Sequence, residues 1–267
     1  MGTVTSADGT SIAYDVWGTG QPLIVVGGAT AHRAVDPKPA ELAAIYGDEF
    51  RVYAYDRRGR GESGDTAPYG TQREIEDLAA MIEEAGGSAM VCGFSSGAVL
   101  ALDAAAAGLP ITRLAMFEPP FVVDDSRPPL PADYVRQLDA FVADGKRGDA
   151  VELFMTAAVG LPAEYLPGMQ QSPMWPGLEA IAHTIAYDGR FMQDVMGGRP
   201  LPTDRWEAAK IPVLVLYGQG TAPSLISAAK ALAELLPTAT LRGVDGEQHD
   251  VAAGVLAPVL REFADAE

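Results

Sequence analysis

Gly93-Phe94-Ser95-Ser96-Gly97 sets a serine between two glycines, at the end of the apolar run Ala89-Met90-Val91-Cys92 and directly before an alanine-rich segment. The apolar run reads as a short buried strand, and residues 96–107 read as a helix stopped by Gly108 and Pro110. The turn joining them has to be sharp. Glycines two residues to either side of the serine remove the side chains that would collide there, so the hydroxyl of Ser95 stands exposed at the C-terminal end of the strand. This is the layout of a nucleophile elbow. Its weight comes from the strand before it and the helix after it, because a chain with 29 glycines produces bare G-x-S-x-G strings by chance.

Upstream, an Asp8-Gly9 turn separates Val4-Thr5 from the alternating run Ile12-Ala13-Tyr14-Asp15-Val16-Trp17, which predicts an antiparallel hairpin. Beyond it the apolar runs Leu23-Ile24-Val25-Val26, Val52-Tyr53-Ala54-Tyr55, Leu114-Ala115-Met116-Phe117 and Pro212-Val213-Leu214-Val215-Leu216-Tyr217 recur, with helical segments between most of them. Uninterrupted runs of this kind are strands buried on both faces. The intervening helices are amphipathic: Ile75, Leu78, Ala79 and Ile82 share one face, as do Val255, Val259, Leu260 and Phe263. The alternation predicts an α/β fold, a mostly parallel sheet with helices on both faces. Between Phe121 and Trp206 the pattern breaks. The proline-rich Arg127-Pro128-Pro129-Leu130-Pro131 leads into helical runs over residues 132–143, 149–159 and 178–187, with Pro162, Pro167, Pro173 and Pro176 punctuating the chain between the last two. We read residues 121–206 as a helical cap inserted into a core formed by residues 1–120 and 207–267.

At 267 residues the chain is long enough for one large core with an insertion, and 48% hydrophobic with 21% charged residues is ordinary globular composition. No segment approaches the roughly 18 uninterrupted apolar residues of a membrane span. Met1-Gly2-Thr3-Val4-Thr5 has neither the basic nor the apolar region of an export signal, so a cytoplasmic location with no membrane partner is expected. The single cysteine, Cys92, cannot form an intramolecular disulfide and sits on a strand, where a small packing role is expected. The formal net charge of −17 argues against nucleic acid as a partner, since phosphate backbones are held by concentrated Lys and Arg. Arg57-Arg58-Gly59-Arg60 is too short a cluster to reverse that.

A serine hydroxyl is a poor nucleophile at neutral pH and needs a base within hydrogen-bond reach, most often histidine. The chain has three histidines. His249 lies in Gly246-Glu247-Gln248-His249-Asp250-Val251, a polar loop after the short strand around Thr240-Leu241-Arg242 and before the last helix, which is where such a base is expected. His32 follows the first core strand as a candidate for the pocket wall; His183 falls in the cap as a packing or surface residue. An acyl-transfer intermediate also needs preorganised donors for its oxyanion. Gly27-Gly28-Ala29, directly after Leu23-Ile24-Val25-Val26, offers the N–H of Ala29 or Gly28. The N–H of Ser96, at a helix N-terminus, is the second.

With these elements in place the chain resembles the α/β-hydrolase superfamily over nearly its whole length. Tyr55-Asp56-Arg57-Arg58-Gly59-Arg60-Gly61-Glu62-Ser63 is similar to the family's DxRGxGxS loop after the fourth strand, which implies a structural turn beside the active site rather than phosphate ligands. The resemblance implies a cofactor-independent, metal-free serine hydrolase that cleaves a small-molecule ester or lactone through an acyl-enzyme. One departure concerns the triad acid. Members usually carry it after the strand corresponding to Pro212-Val213-Leu214-Val215-Leu216-Tyr217, yet Gly218-Gln219-Gly220-Thr221-Ala222-Pro223 holds no carboxylate. Some members place the acid one strand after the elbow, and Glu118 directly follows Leu114-Ala115-Met116-Phe117. Asp124 and Asp125 further along, and Asp245 and Asp250 on the histidine's own loop, are the other carboxylates nearby.

The GxSSG elbow together with Glu118-Pro119-Pro120 resembles the zearalenone lactonases and a set of uncharacterised actinobacterial α/β hydrolases. That resemblance carries over Ser95, Glu118 and His249 but not the substrate, because pocket selectivity lies in the cap. Met174-Trp175-Pro176 and Tyr187 are candidates for an apolar wall above Ser95; Trp175 and Met174 read equally well as holding the cap together. The same triad serves thioesterases, carbon–carbon bond hydrolases and cyclases. A catalytically silent ligand-binding protein on the same scaffold is the alternative of another class, and a complete triad disfavours it.

Overall fold

The computed structural model describes residues 1–266. Strands β1 (Gly2–Thr5) and β2 (Ser11–Trp17) pair antiparallel about the Asp8-Gly9 turn, where Asp8 Oδ1 accepts the Thr10 N–H at 3.0 Å. The chain continues through β3 (Gln21–Val26), α1 (Lys38–Tyr46), β4 (Phe50–Tyr55), α2 (Thr71–Glu84), β5 (Ala89–Phe94), α3 (Ser96–Ala106) and β6 (Ile111–Phe117). Helices follow: α4 (Tyr134–Ala143), α5 (Arg147–Leu153), α6 (Leu166–Gln170), α7 (Trp175–Ala180) and α8 (Ile185–Met192). The sheet resumes with β7 (Val213–Gly220), α9 (Pro223–Leu235), β8 (Ala239–Glu247) and α10 (Ala253–Asp265).

The eight strands form one sheet in the order β1-β2-β4-β3-β5-β6-β7-β8. Only β1 and β2 run antiparallel to their neighbours; from β4 to β8 every pairing is parallel. The continuous apolar runs have their expected cause, since alternate residues feed two separate cores. Leu23, Val25, Cys92, Phe117 and Leu216 pack under α1 and α10, while Ile24, Val26, Val91, Leu114 and Val215 pack under α2 and α3. A parallel sheet places all its strand ends of one kind along one edge. The loops after β3, β5, β6, β7 and β8 therefore gather at the same C-terminal edge.

Between β6 and β7 the described residues hold helices and no strand. The helix expected over residues 149–159 begins at Arg147, and from Phe154 to Val159 it widens into a π-helical turn. The helix expected over residues 178–187 is two helices: α7 ends at Ala180, a 3₁₀ turn covers Ala182–Thr184, and α8 takes over at Ile185. The break has a local cause, because the Thr184 hydroxyl bonds the Ile181 carbonyl at 2.8 Å and competes for the acceptor a continuous helix would use. The neck of the helical segment is closed from both sides. Val122 N–H bonds Val195 O at 3.0 Å and Gly198 N–H bonds Val122 O at 2.8 Å. Arg205 (3.0 and 2.7 Å) and the Trp206 indole N–H (2.7 Å) both grip Asp103 on α3. Among the described residues no helix is long and apolar enough to cross a membrane.

Candidate active site

Strands β3, β5 and β6 lie side by side, so the segments leaving their C-terminal ends meet. Ser95 leaves β5 at φ 53° and ψ −126°, and its N–H donates to Phe117 O at 2.9 Å. The flanking glycines are sterically required. A Cβ on Gly93 would overlap the Ala98 backbone, and one on Gly97 would overlap the Gly27 carbonyl.

Glu118 leaves β6 fully buried at 0% exposure and at φ 46°. Its backbone N–H donates to Leu216 O at 2.9 Å, which turns its side chain along the same edge. Oε1 accepts the Gly218 N–H at 2.8 Å, and Oε2 accepts the Thr221 hydroxyl at 3.2 Å and the His249 Nδ1–H at 2.5 Å. The end of β7 and the loop after it, which carry no carboxylate of their own, thus supply donors to one arriving from the neighbouring strand β6. Each oxygen of this buried carboxylate is paired, as a buried charge requires. Of the other carboxylates, Asp124 is exposed and caps the Ser126 N–H at 2.9 Å, Asp125 is exposed, and Asp250 pairs with Lys38 Nζ at 2.7 Å.

His249 follows β8 in a turn where Gln248 and His249 both take positive φ, 52° and 63°. With Nδ1–H given to Glu118, the neutral ring keeps its lone pair on Nε2. Ser95 and His249 line the same cavity of about 360 Å³, a size suited to a small organic ligand. Among the described residues no hydrogen bond reaches Ser95 Oγ, a looseness common before substrate tightens such a site. All five non-glycine residues with positive φ among the described residues, Thr30, Ser95, Glu118, Gln248 and His249, belong to this small region. Backbone strain of this kind collects where function over-determines geometry.

Ala29, Thr30 and Ser96 also line the cavity; Gly28 does not. The Gly28 carbonyl instead accepts Arg60 Nη1 at 2.7 Å. Because a trans peptide points its N–H opposite its carbonyl, this bond fixes the Ala29 N–H away from Arg60. Arg60 also pairs with Asp188 on α8, and Asp188 accepts Arg57 Nη1 at 2.8 Å. Burial works against the Asp188 charge, but Arg57 and Arg60 outweigh it and hold the carboxyl below its ordinary range. Arg57 is gripped further by both oxygens of Glu74, at 2.6 and 2.8 Å, and Arg58 by both of Asp77, at 2.8 and 2.7 Å. The basic cluster is a set of buried ion pairs.

Four expected pocket residues lie elsewhere. Met174 is 66% exposed and Trp175, 7% exposed, packs among the helices between β6 and β7, so neither lines the cavity. Tyr187 stacks on Tyr69 at 3.8 Å and donates to Asp65 at 2.7 Å, which turns it away from Ser95. His32 borders a separate small recess with Arg33 and Asp36. The wall is built instead by Leu130, Tyr134, Met155, Ile185, Met192 and Met196, with Arg127 and Asp188 as its charged members. Met192 closes α8 and Met196 lies beyond the 3₁₀ turn that follows, so no single helical face in the sequence marked the pair. Nothing in the sequence marked Asp188. Among the described residues no group of three or more His, Cys, Asp and Glu is gathered as a metal site.

Comparison with known proteins agrees with this architecture. The model of the alpha/beta hydrolase family matches residues 23–262. An alpha/beta hydrolase from Sphaerobacter thermophilus is 52% identical, with a TM-score of 0.89 over 98% of this chain and 100% of that one. A non-heme chloroperoxidase from Streptomyces lividans is 26% identical over 288 aligned positions, 98% of this chain and 99% of that protein. The enol-lactonase of Burkholderia xenovorans, 18% identical, shares the fold with a TM-score of 0.70 over 99% of this chain and 100% of that one.

Proposed function

The chain belongs to the alpha/beta hydrolase family, and on that premise we propose that it is a serine hydrolase cleaving a carboxylic ester or lactone through an acyl-enzyme. The observation that carries this reading is the 2.5 Å contact between His249 Nδ1 and the buried Glu118 carboxylate, at the rim of the cavity that Ser95 enters. Glu118 holds the imidazole in the tautomer whose Nε2 is free to take a proton. Ser95 Oγ attacks the carbonyl carbon while its proton passes to His249 Nε2, and the negative charge collects on the carbonyl oxygen. The N–H groups of Ala29 and Ser96 receive that charge. The tetrahedral adduct collapses, the C–O bond breaks, and the alcohol leaves with the proton from His249. Water then repeats the sequence, giving its proton to His249 and releasing the acid as Ser95 recovers its hydrogen.

Arg60 positions the Ala29 N–H through the Gly28 carbonyl, and residues 121–206 act as the cap that sets substrate choice. A fluorophosphonate probe and a panel of aryl esters and lactones test the assignment. The probe is expected to label Ser95, and Ser95→Ala to abolish labelling and turnover together. Glu118→Gln is expected to lower kcat on the order of 10⁴-fold. Near-full turnover in Glu118→Gln, or a folded protein that neither labels nor hydrolyses any ester, overturns it.

A further inference from the structure

Arg127 stands out among the cavity's charged side chains because the protein leaves its charge unanswered. Asp188, the carboxylate in the same wall, is matched by Arg57 and Arg60. Arg127 has no carboxylate within ion-pair distance among the described residues. Its near neighbours in sequence do not serve it, since Asp124 and Asp125 are both exposed and Asp124 is occupied with Ser126. Partial burial nevertheless disfavours its cation, with no charge partner to offset the cost. A chain of net charge −17 does not lack carboxylates to place there.

The guanidinium is also held in place. Nη2 donates to the carbonyls of Ala157 and Ala158, both at 2.9 Å, on the π-helical turn that closes α5. That engagement accounts for one nitrogen. Nε and Nη1 have no protein acceptor among the described residues, and the side chain borders a cavity whose mostly apolar wall includes Leu130, Met155, Val159 and Met196. A fixed, half-desolvated cation with unused donors in an apolar cavity matches a carboxylate, which accepts charge-assisted hydrogen bonds.

We propose that Arg127 is the anchoring site for a carboxylate carried by the substrate, so that the preferred substrates are esters or lactones bearing a free carboxylate. The kinetic arm of the test rests on the ester-hydrolase reading; the binding arm does not. Monomethyl esters of the straight-chain diacids from succinate to suberate are compared with their dimethyl counterparts, on the natural protein, Arg127→Gln and Arg127→Lys. The natural protein is expected to favour at least one monoester over its neutral diester. In Arg127→Gln, whose amide can still donate to the Ala157 or Ala158 carbonyl, kcat/KM for that monoester is expected to fall roughly 10- to 100-fold through KM. The diester, which has no carboxylate to anchor, is expected to lose far less than the monoester, and Arg127→Lys to recover part of the monoester's loss.

In parallel, calorimetry on Ser95→Ala is expected to show the same monoester binding, with Arg127→Gln in that background weakening it. Equal losses on both ester types, or no monoester preference at any chain length, overturn the proposal and assign Arg127 to capping the helix alone. Arg127-dependent binding without any hydrolysis leaves the anchoring site standing and removes the hydrolase reading instead.

Discussion

Ser95 is held at φ 53° and ψ −126°, a region L-residues avoid because their Cβ meets the backbone. The strain is tolerated because the Phe117 carbonyl receives the Ser95 N–H and the glycines beside it let α3 start against β3. Two variants that both lack the hydroxyl separate the cost of the Cβ from the chemistry. Ser95→Gly is expected to exceed Ser95→Ala in unfolding free energy by about 1 kcal/mol, the strain relieved less the added chain entropy of glycine. Equal denaturation midpoints for the two would mean that the strain relieved is no larger than the chain entropy glycine adds. Glu118 and His249 share the same backbone habit, at φ 46° and 63°. Their residue types and chain order were readable from the sequence, as was the absence of a carboxylate after Tyr217. Their pairing was an expectation that left Asp124, Asp125, Asp245 and Asp250 as rivals, because the Gly218 N–H and Thr221 hydroxyl that hold Glu118 come from β7 and the loop after it, brought alongside only by the sheet order.

At the scale of elements, the strands were legible because burial on both faces demands continuous apolar runs, and Leu23-Ile24-Val25-Val26 fills two cores at once. The segment between β6 and β7 was legible only as helix. Its helices show faces that pack on one another, so residues 178–187 carried no mark of which side faces Ser95, and Thr184 alone was too weak a sign of the break at Ile181. Trp175 and Tyr187, apolar or aromatic and therefore plausible walls, satisfy other neighbours instead. Helix α8 reaches the core through Asp188, which is nearly buried and answers two buried arginines. Removing one member of such a network strands the others' charge. Asp188→Asn is expected to lower the unfolding free energy by about 3–5 kcal/mol in urea titration. A loss below about 1 kcal/mol would mean that Glu74 alone compensates Arg57 and that Arg60 is solvated.

Over the whole molecule the excess of negative charge sets a background repulsion that compaction intensifies. With a net charge of −17, raising sodium chloride from about 10 to 150 mM is expected to raise Tm, as the Debye length falls from about 30 Å to about 8 Å. A flat or falling Tm over that range would show that the ion pairs lost to screening outweigh the repulsion relieved. The same field opposes an anionic substrate at long range, which makes an unpaired arginine inside the cavity a local exception to it. Long-range charge governs encounter, and the contact at Arg127 governs retention.

The sequence by itself determined the elements of the sheet, the elbow that exposes Ser95 and the order in which serine, glutamate and histidine follow one another. These are local properties, since apolar period, glycine placement and strand-to-helix junctions depend on residues within a few positions. Tertiary structure alone decided that Glu118 meets His249 with two further donors, that Arg60 pins the Gly28 carbonyl, and that Arg127 rather than Trp175 borders the cavity. Each of these joins residues far apart in the chain. Such contacts are fixed by which strands lie side by side and how the helices between β6 and β7 settle on their edge, and no window of sequence contains them.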